Sequence, residues 1–284
     1  MTIMLIYKIA EPTPNYAEFY IEDIDTYILN ALRRLILTEV PTLAIHDVII
    51  HQNTSVLYDE ELAHRLAMIP LKVDRSEIDL LGDCLCREIK LEECIKCTAR
   101  LRLTVKNDTD EIITVYSKDI KAIDKKSVKP ILDNIPIVKL GPKQEIDVEM
   151  IAKVGRGKDH AKWQPVSTLG YKPIPIIKVG DTCNGCSACV DACPKGVLKL
   201  RDNKPIIEEL GLYICDLDRI CVRACPENAL ILEPDESRYF FRIESNGQLS
   251  IKEIFESAFL NFDGILKEFE KKLQEAVESF IGEE

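Results

Sequence analysis

Eleven cysteines are the residues of this 284-residue chain whose type and spacing could do chemistry. Four of them lie at positions 84–97 and seven at positions 183–225. An odd number of cysteines cannot be paired completely in disulfides. Thiolates are preferred ligands of zinc and of iron–sulfur clusters, so both groups are candidate metal ligands.

The second group opens with the spacing Cys-x2-Cys-x2-Cys-x3-Cys-Pro, by which bacterial ferredoxins hold iron–sulfur clusters. The segment repeats after 32 residues, with three cysteines and a proline recurring: Cys183, Cys189, Cys193 and Pro194 match Cys215, Cys221, Cys225 and Pro226. This duplication predicts a two-cluster, ferredoxin-like unit. The copies differ at one ligand position, because Asp218 stands where the first copy has Cys186.

In two-cluster ferredoxins the fourth cysteine of each run binds the other cluster. This rule predicts a four-cysteine site, suited to a 4Fe-4S cluster, made of Cys183, Cys186, Cys189 and Cys225. It also predicts a three-cysteine site made of Cys193, Cys215 and Cys221, with Asp218 at the open corner. A carboxylate is a hard ligand that suits this iron corner poorly, so we predict a 3Fe-4S cluster there, convertible at most to a weakly held 4Fe form. A disulfide is the alternative at the four-cysteine site in an oxidised preparation, and free buried cysteines or disulfides are the alternative for the whole region.

The first group could form a zinc site. Its four thiols, Cys84, Cys86, Cys94 and Cys97, lie within fourteen residues and could complete a tetrahedron around one ion. The Cys94-x2-Cys97 half has the usual zinc-knuckle spacing, whereas the Cys84-x-Cys86 half is tighter. Disulfides or thiols without a metal are the alternatives.

The composition is that of a folded, acidic protein, with 46% hydrophobic and 30% charged residues. The formal net charge of −11 excludes a broad basic surface, so we expect little or no direct nucleic-acid contact. The sequence has neither an apolar run of about 18 residues nor a secretion signal, so we expect a cytoplasmic protein without a membrane partner. It also has no phosphate-binding loop, no magnesium-binding acid triad and no nucleophile motif, so we expect no catalytic site on this chain.

Hydrophobic periodicity predicts the elements that precede the duplicated segment. Two amphipathic helices are expected, over about 25–39 and 59–68. Strands are expected at four places: 44–51, 101–105, 111–116 and 144–154. The second and third of these alternate like the two arms of a hairpin. The stretch from about 41 to 170 is therefore predicted to be a mixed α+β unit.

The elements after position 170 are a connection, a strand and a long helix. A proline-marked connection at 171–175 leads into the duplicated segment, which ends near 233–235. A strand over 237–244 and a turn at Asn246-Gly247 precede a helix that runs from about 250 to the end. Its apolar residues recur every three or four positions: Ile251, Ile254, Phe255, Ala258, Phe259, Phe262, Ile265, Leu266, Phe269, Leu273, Val277 and Phe280. Each large side chain left in water forgoes roughly 1.5–3 kcal/mol, so the stripe predicts a partner molecule. The alternative is a helix that lies partly on its own sheet.

Three long runs resemble one protein family: NALRRLILTEVP at 30–41, NTSVLYDEELAHRLAMIPL at 53–71 and GKDHAKWQP at 157–165. They are similar to the archaeal DNA-directed RNA polymerase subunit called D, the counterpart of the bacterial alpha amino-terminal domain. The resemblance implies an α+β fold with an alpha-subunit-like dimerisation domain over 1–40 and 236–284. It also implies two insertions, a mixed α+β subunit-contact domain over 41–170 and a two-cluster ferredoxin-like domain over 171–235.

The resemblance also implies partners and a function. The dimerisation domain would form a heterodimer with the smaller alpha-like subunit L, and the domain over 41–170 would face the small subunits N and P and the large catalytic subunit, called B. The chain would be a non-catalytic platform of a DNA-dependent RNA polymerase, which is a nucleotidyltransferase complex, and its iron–sulfur domain would be structural or assembly-regulating. The alternative is a ferredoxin-like electron-transfer subunit of an oxidoreductase, although no flavin or nicotinamide fingerprint is present.

Overall fold

The computed structural model describes residues 5–73 and 98–281. The elements of the first half are β1 (Leu5–Thr13), β2 (Tyr16–Glu22), α1 (Thr26–Thr38), β3 (Pro41–Asn53), α2 (Asp59–Ala67), β4 (Leu71–Lys72), β5 (Thr98–Lys106), β6 (Ile113–Tyr116), β7 (Lys121–Ala122), β8 (Lys129–Pro130), β9 (Pro136–Leu140) and β10 (Glu145–Arg156). Those of the second half are β11 (Val166–Val179), α3 (Ala188–Asp191), β12 (Leu198–Arg201), β13 (Lys204–Ile207), α4 (Glu209–Ile214), α5 (Ile220–Arg223), β14 (Leu230–Ser245) and α6 (Ile251–Ile281). This mixture of helices and strands confirms the predicted α+β class.

The chain divides into two compact units. The first unit comprises Met1–Asn30 and Leu169–Ile243, and the second comprises Ala31–Thr168 and Glu244–Glu284. The duplicated cysteine segment belongs to the first unit, and α6 belongs to the second. None of the helices in the described residues has the length and apolarity needed to cross a lipid bilayer.

A four-stranded sheet in the order β1-β2-β14-β11 forms the frame of the first unit. Tyr239 and Phe241 of β14 are buried, and Arg242 on the same strand forms a 2.8 Å ion pair with Glu18 of β2. The prediction of a connection at 171–175 is wrong, because these residues lie inside β11. Since β11 is an edge strand, Pro173 and Pro175 need not donate hydrogen bonds to a further neighbour.

A second four-stranded sheet, in the order β3-β10-β5-β7, forms the frame of the second unit. The central strand β10 pairs antiparallel with both β3 and β5, and it buries Val148 and Met150. The predicted hairpin between 101–105 and 111–116 is wrong, because β5 pairs with β10 and β7 whereas β6 pairs with β9. Alternation determines which side chains face the core, but it does not identify the neighbouring strand.

The three long helices lie where periodicity predicted them. In α2, Asp59, Glu60 and Glu61 occupy the first turn, where the helix dipole favours acidic groups. At the start of α6, Ser250 and Glu253 form a capping box: the Glu253 carboxylate accepts a 2.8 Å hydrogen bond from the Ser250 backbone N–H, and the Ser250 hydroxyl accepts one from the Glu253 N–H. The cap therefore determines where α6 begins.

Candidate functional site

The duplication found in the sequence is also present in the backbone. Helices α3 and α5 are offset by 32 residues, and so are three pairs of positions with left-handed φ angles: Gly185 (75°) with Leu217 (57°), Ser187 (62°) with Arg219 (58°), and Gly196 (61°) with Asn228 (48°). Non-glycine residues adopt this conformation at a cost of about 1 kcal/mol or more, and they keep it where the surroundings impose it. Both copies therefore have the same turns around their cysteines.

Each copy contributes cysteines to two separate cavities. One cavity is lined by the four cysteines predicted for the four-cysteine site, Cys183, Cys186, Cys189 and Cys225. The other is lined by Cys193, Cys215 and Cys221, together with Asp218. The structure thus brings together the two sets expected from the crossed spacing rule, in which Cys193 and Cys225 each join the opposite site. Their roles as ligands stay predictions.

The cysteines of the duplicated segment form no disulfide among themselves. All seven are free thiols. Among the described residues, no three histidine, cysteine or acidic side chains lie close enough together to share one metal ion. The ligands of an iron–sulfur cluster bind different iron atoms, so they stand farther apart than the ligands of one zinc ion.

The inner walls of both cavities are apolar. Cys189, Cys215 and Cys221 are buried in one hydrophobic cluster with Val197, Leu198, Leu230 and Leu232. Burial raises the pKa of each of these three thiols above its ordinary value, and at Cys215 the charges of Cys193 and Asp218 add to that effect. Because metal binding requires thiolates, a cluster bound at these positions would release protons when it is inserted.

Asp218 is the residue that the sequence predicts at the open corner of the three-cysteine site. Its Oδ1 accepts a 3.0 Å hydrogen bond from the backbone N–H of Ile220, the first residue of α5. The side chain is exposed and also lines the three-cysteine cavity. Asp218 therefore forms an Asx turn that leads into α5, at the edge of the cavity that contains Cys193, Cys215 and Cys221.

Two lysines lie beside the three-cysteine site, and the cysteine pattern does not predict them. Lys172 of β11 donates a 3.1 Å hydrogen bond to the backbone carbonyl of Cys215, and Lys195 lines the cavity itself. Lys172 is 43 positions away from Cys215 in the sequence, inside the segment predicted to be a connection. Cysteine spacing contains no signal that could have identified it.

The basic loop at 157–165 makes contacts within its own unit. Arg156 and Lys158 form ion pairs of 3.2 and 2.9 Å with Glu39. The Lys162 ammonium lies 4.5 Å from the ring centroid of Trp163, and the Trp163 Nε1 donates a 3.0 Å hydrogen bond to the Lys153 carbonyl. These interactions make the positive residues parts of a folded loop.

The apolar residues of α6 divide into a buried part and an exposed part. Ile251, Ile254 and Ala258 are buried in the second unit. The exposed part, here named the α6 stripe, consists of Phe259, Phe262, Ile265, Leu266, Phe269, Leu273 and Val277. Phe269 is 64% exposed and Leu273 is 53% exposed. An apolar surface that continues over five turns of helix is typical of a protein interface.

The predicted zinc ligands Cys84, Cys86, Cys94 and Cys97 lie outside the described residues. The zinc site therefore stays a prediction from spacing.

Comparison with known proteins identifies relatives of both units. Residues 48–174 match the family model described as the RNA polymerase Rpb3/RpoA insert domain, and residues 176–199, which include the first cysteine copy, match the 4Fe-4S binding domain. The chain is 37% identical over 246 residues to the DNA-directed RNA polymerase subunit Rpo3 of Methanosphaera stadtmanae, covering 85% of this chain and 88% of that protein. It is 33% identical over 268 residues to the Rpo3 subunit of Archaeoglobus fulgidus, covering 94% and 97%. The DNA-directed RNA polymerases I and III subunit rpac1 of Dictyostelium discoideum is 34% identical over 272 residues, covering 90% and 78%.

Proposed function

This chain belongs to the Rpo3 family of DNA-directed RNA polymerase subunits, and from that premise we propose that it is a non-catalytic assembly platform within the polymerase. As a polymerase subunit it associates with other subunits of a nucleotidyltransferase complex. The observation that carries the platform role is the α6 stripe, which exposes large apolar side chains of the free chain to water. The same role implies a cytoplasmic location.

The partner proposed for the α6 stripe is the smaller alpha-like subunit L. Burial of a Phe or Leu side chain is worth about 1.5–3 kcal/mol, so a partner helix that covers several stripe residues would gain a large binding energy. The charged residues of α6 form i,i+4 ion pairs with one another, such as Asp263 with Lys267 and Glu268 with Lys272. They stabilise the helix while the stripe stays available for the partner.

The remaining contacts are proposed from the resemblance that the sequence shows. The domain over 41–170 is proposed to face the subunits called N, P and B, with the loop at 157–165 at those contacts. The Glu39 ion pairs and the buried Trp163 support this proposal, because they hold the loop in one conformation before any partner binds. The dimerisation domain is proposed to comprise 1–40 and 236–284, with the ferredoxin-like domain at 171–235.

The match to the 4Fe-4S binding domain supports an iron–sulfur cluster in the chain. We assign a 4Fe-4S cluster to the four-cysteine site and a 3Fe-4S cluster to the three-cysteine site, with zinc assigned to the first cysteine group. A bound cluster cross-links the segments that supply its thiolates, and binding energy becomes folding energy where the unfolded chain has no preformed site. Its proposed role is therefore structural or assembly-regulating.

The electron-transfer alternative has no support among the relatives, whose names describe polymerase subunits. Affinity purification of the tagged full chain from its native host, followed by mass spectrometry, tests the choice. Recovery of the large polymerase subunits and of L is the expected result. Recovery of reductases, or of the chain alone, would overturn the proposal. A chain with the Phe269→Asp and Leu273→Asp substitutions is the control, since it should lose L.

A further inference from the structure

The side chain of Lys172 contacts the backbone of a predicted cluster ligand, Cys215, and of the residue two positions before it. Its Nζ donates one hydrogen bond to the carbonyl of Tyr213 and another, 3.1 Å long, to the carbonyl of Cys215. It also lies 4.0 Å from Oδ1 of Asp216. The ammonium therefore joins the end of α4 and the backbone of Cys215 to strand β11.

The two cysteine sites differ in the charges around them. Lys195 lines the three-cysteine cavity and forms a 3.1 Å ion pair with Asp216, which also faces Lys172. The position equivalent to Lys195 in the second copy is Glu227, which lines the four-cysteine cavity. Among the described residues that line the four-cysteine cavity there is no lysine or arginine. Among the described residues that line the two cavities, the one cationic side chain, Lys195, therefore belongs to the three-cysteine cavity.

We propose that Lys172 is a positioning residue for the three-cysteine site: it fixes the direction of the Cys215 thiolate and places a positive charge near the cluster. This inference rests on the proposed cluster. A residue that does not bind the metal itself but hydrogen-bonds to a metal ligand orients that ligand, and its removal typically lowers metal affinity by about 10- to 100-fold. A nearby positive charge favours the form of a cluster that carries one more electron, so it raises the reduction potential.

The test compares Lys172→Met and Lys172→Arg in the full chain, purified and reconstituted without oxygen. Lys178→Met is the matched control, because Lys178 lies on the same strand and its ion pair with Glu233 is exposed. The rate of iron loss to a chelator is measured for each cluster. The reduction potentials are measured by titration with dithionite, which supplies one electron per cluster, and EPR monitors both clusters during the titration. The four-cysteine site of the same molecule is the internal reference.

In Lys172→Met we expect the three-cysteine site to lose iron at least about 10-fold faster than in the unmodified chain. The equilibrium constant for one-electron reduction of the cluster at this site should fall about tenfold, which corresponds to a reduction potential lower by about 59 mV. Lys172→Arg should restore the potential because it restores the charge. The four-cysteine cluster, and both clusters of Lys178→Met, should behave as in the unmodified chain.

Unchanged iron loss and potential in Lys172→Met would overturn the inference while leaving the cluster proposal intact. Equal weakening of both clusters would also overturn it, because that result would mean a general loss of stability. An unmodified chain that takes up iron only at the four-cysteine site would contradict the cluster assignment itself, and with it the role of Lys172. The iron and sulfide content of the unmodified chain therefore separates the two failures.

Discussion

Replacing Phe269 with alanine removes the most exposed phenylalanine of the α6 stripe. The side chain is 64% exposed, so a partner could bury about two thirds of a residue whose full burial is worth about 1.5–3 kcal/mol. We expect the substitution to cost about 1–2 kcal/mol of binding free energy, which is about a 5- to 30-fold increase in the Kd for subunit L. The free chain should keep its thermal midpoint, because Phe269 is exposed there and alanine favours helix.

Calorimetric titration of the full chain with purified L measures this effect. Lys271→Ala is the matched control, because Lys271 is 77% exposed and lies two positions along the helix, on a different face from Phe269. Its Kd should match that of the unmodified chain. Equal Kd values for Phe269→Ala and Lys271→Ala would refute the reasoning that the stripe binds L.

Five other substitutions test the metal sites, the packing and the interactions of one carboxylate. Cys221→Ser should remove the three-cysteine cluster and leave the four-cysteine cluster, whereas Asp218→Cys should let the chain bind one more iron. Anaerobic iron and sulfide analysis measures both effects. Loss of iron from both sites in Cys221→Ser would count against the ligand assignment. Gly155→Ala should lower the free energy of unfolding by about 1–3 kcal/mol, because its Cβ would overlap the indole of Trp163. Gly264→Ala, in open space on α6, should instead be neutral or stabilising by up to about 1 kcal/mol, and denaturant midpoints compare the two. Hydrogen bonds from Arg102 and Thr104 lower the pKa of Asp147 to about 2 from 3.8. Because the pKa of Asp147 is lower in the folded state than in the unfolded state, its stabilisation is fully present above pH 3.8 and is lost as the pH falls toward 2. Asp147→Asn should therefore lower the free energy of unfolding by about 0.5–1 kcal/mol at pH 6 and by less at pH 3. Equal shifts of the thermal midpoint at both pH values would contradict this account of Asp147.

Local patterns predicted the elements of this fold well, because their causes are local. The apolar spacing of α6 and the Ser250–Glu253 capping box both lie within the helix that they define. The neighbour of a strand in a sheet, in contrast, depends on residues that are distant in the sequence, so a local pattern does not identify it. Alternation over 101–105 and 111–116 is real, but the long strand β10 pairs with β5 and leaves β6 to pair with β9.

The grouping of the cysteines in the candidate site could be predicted from the sequence. Their spacing and duplication indicated which thiols would meet, and the two cavities contain those same sets. The supporting residues were not predictable in this way. Lys172 belongs to β11, whose prolines suggested a connection, and only the fold brings it to the carbonyl of Cys215.

Light scattering on the full chain mixed with subunit L, during size-exclusion chromatography, would decide the assembly role. We predict one peak whose mass is the 32.3 kDa of this chain plus the mass of one L chain. Two separate peaks, one of them this chain alone at 32.3 kDa, would contradict the proposal that α6 joins it to a partner in the polymerase.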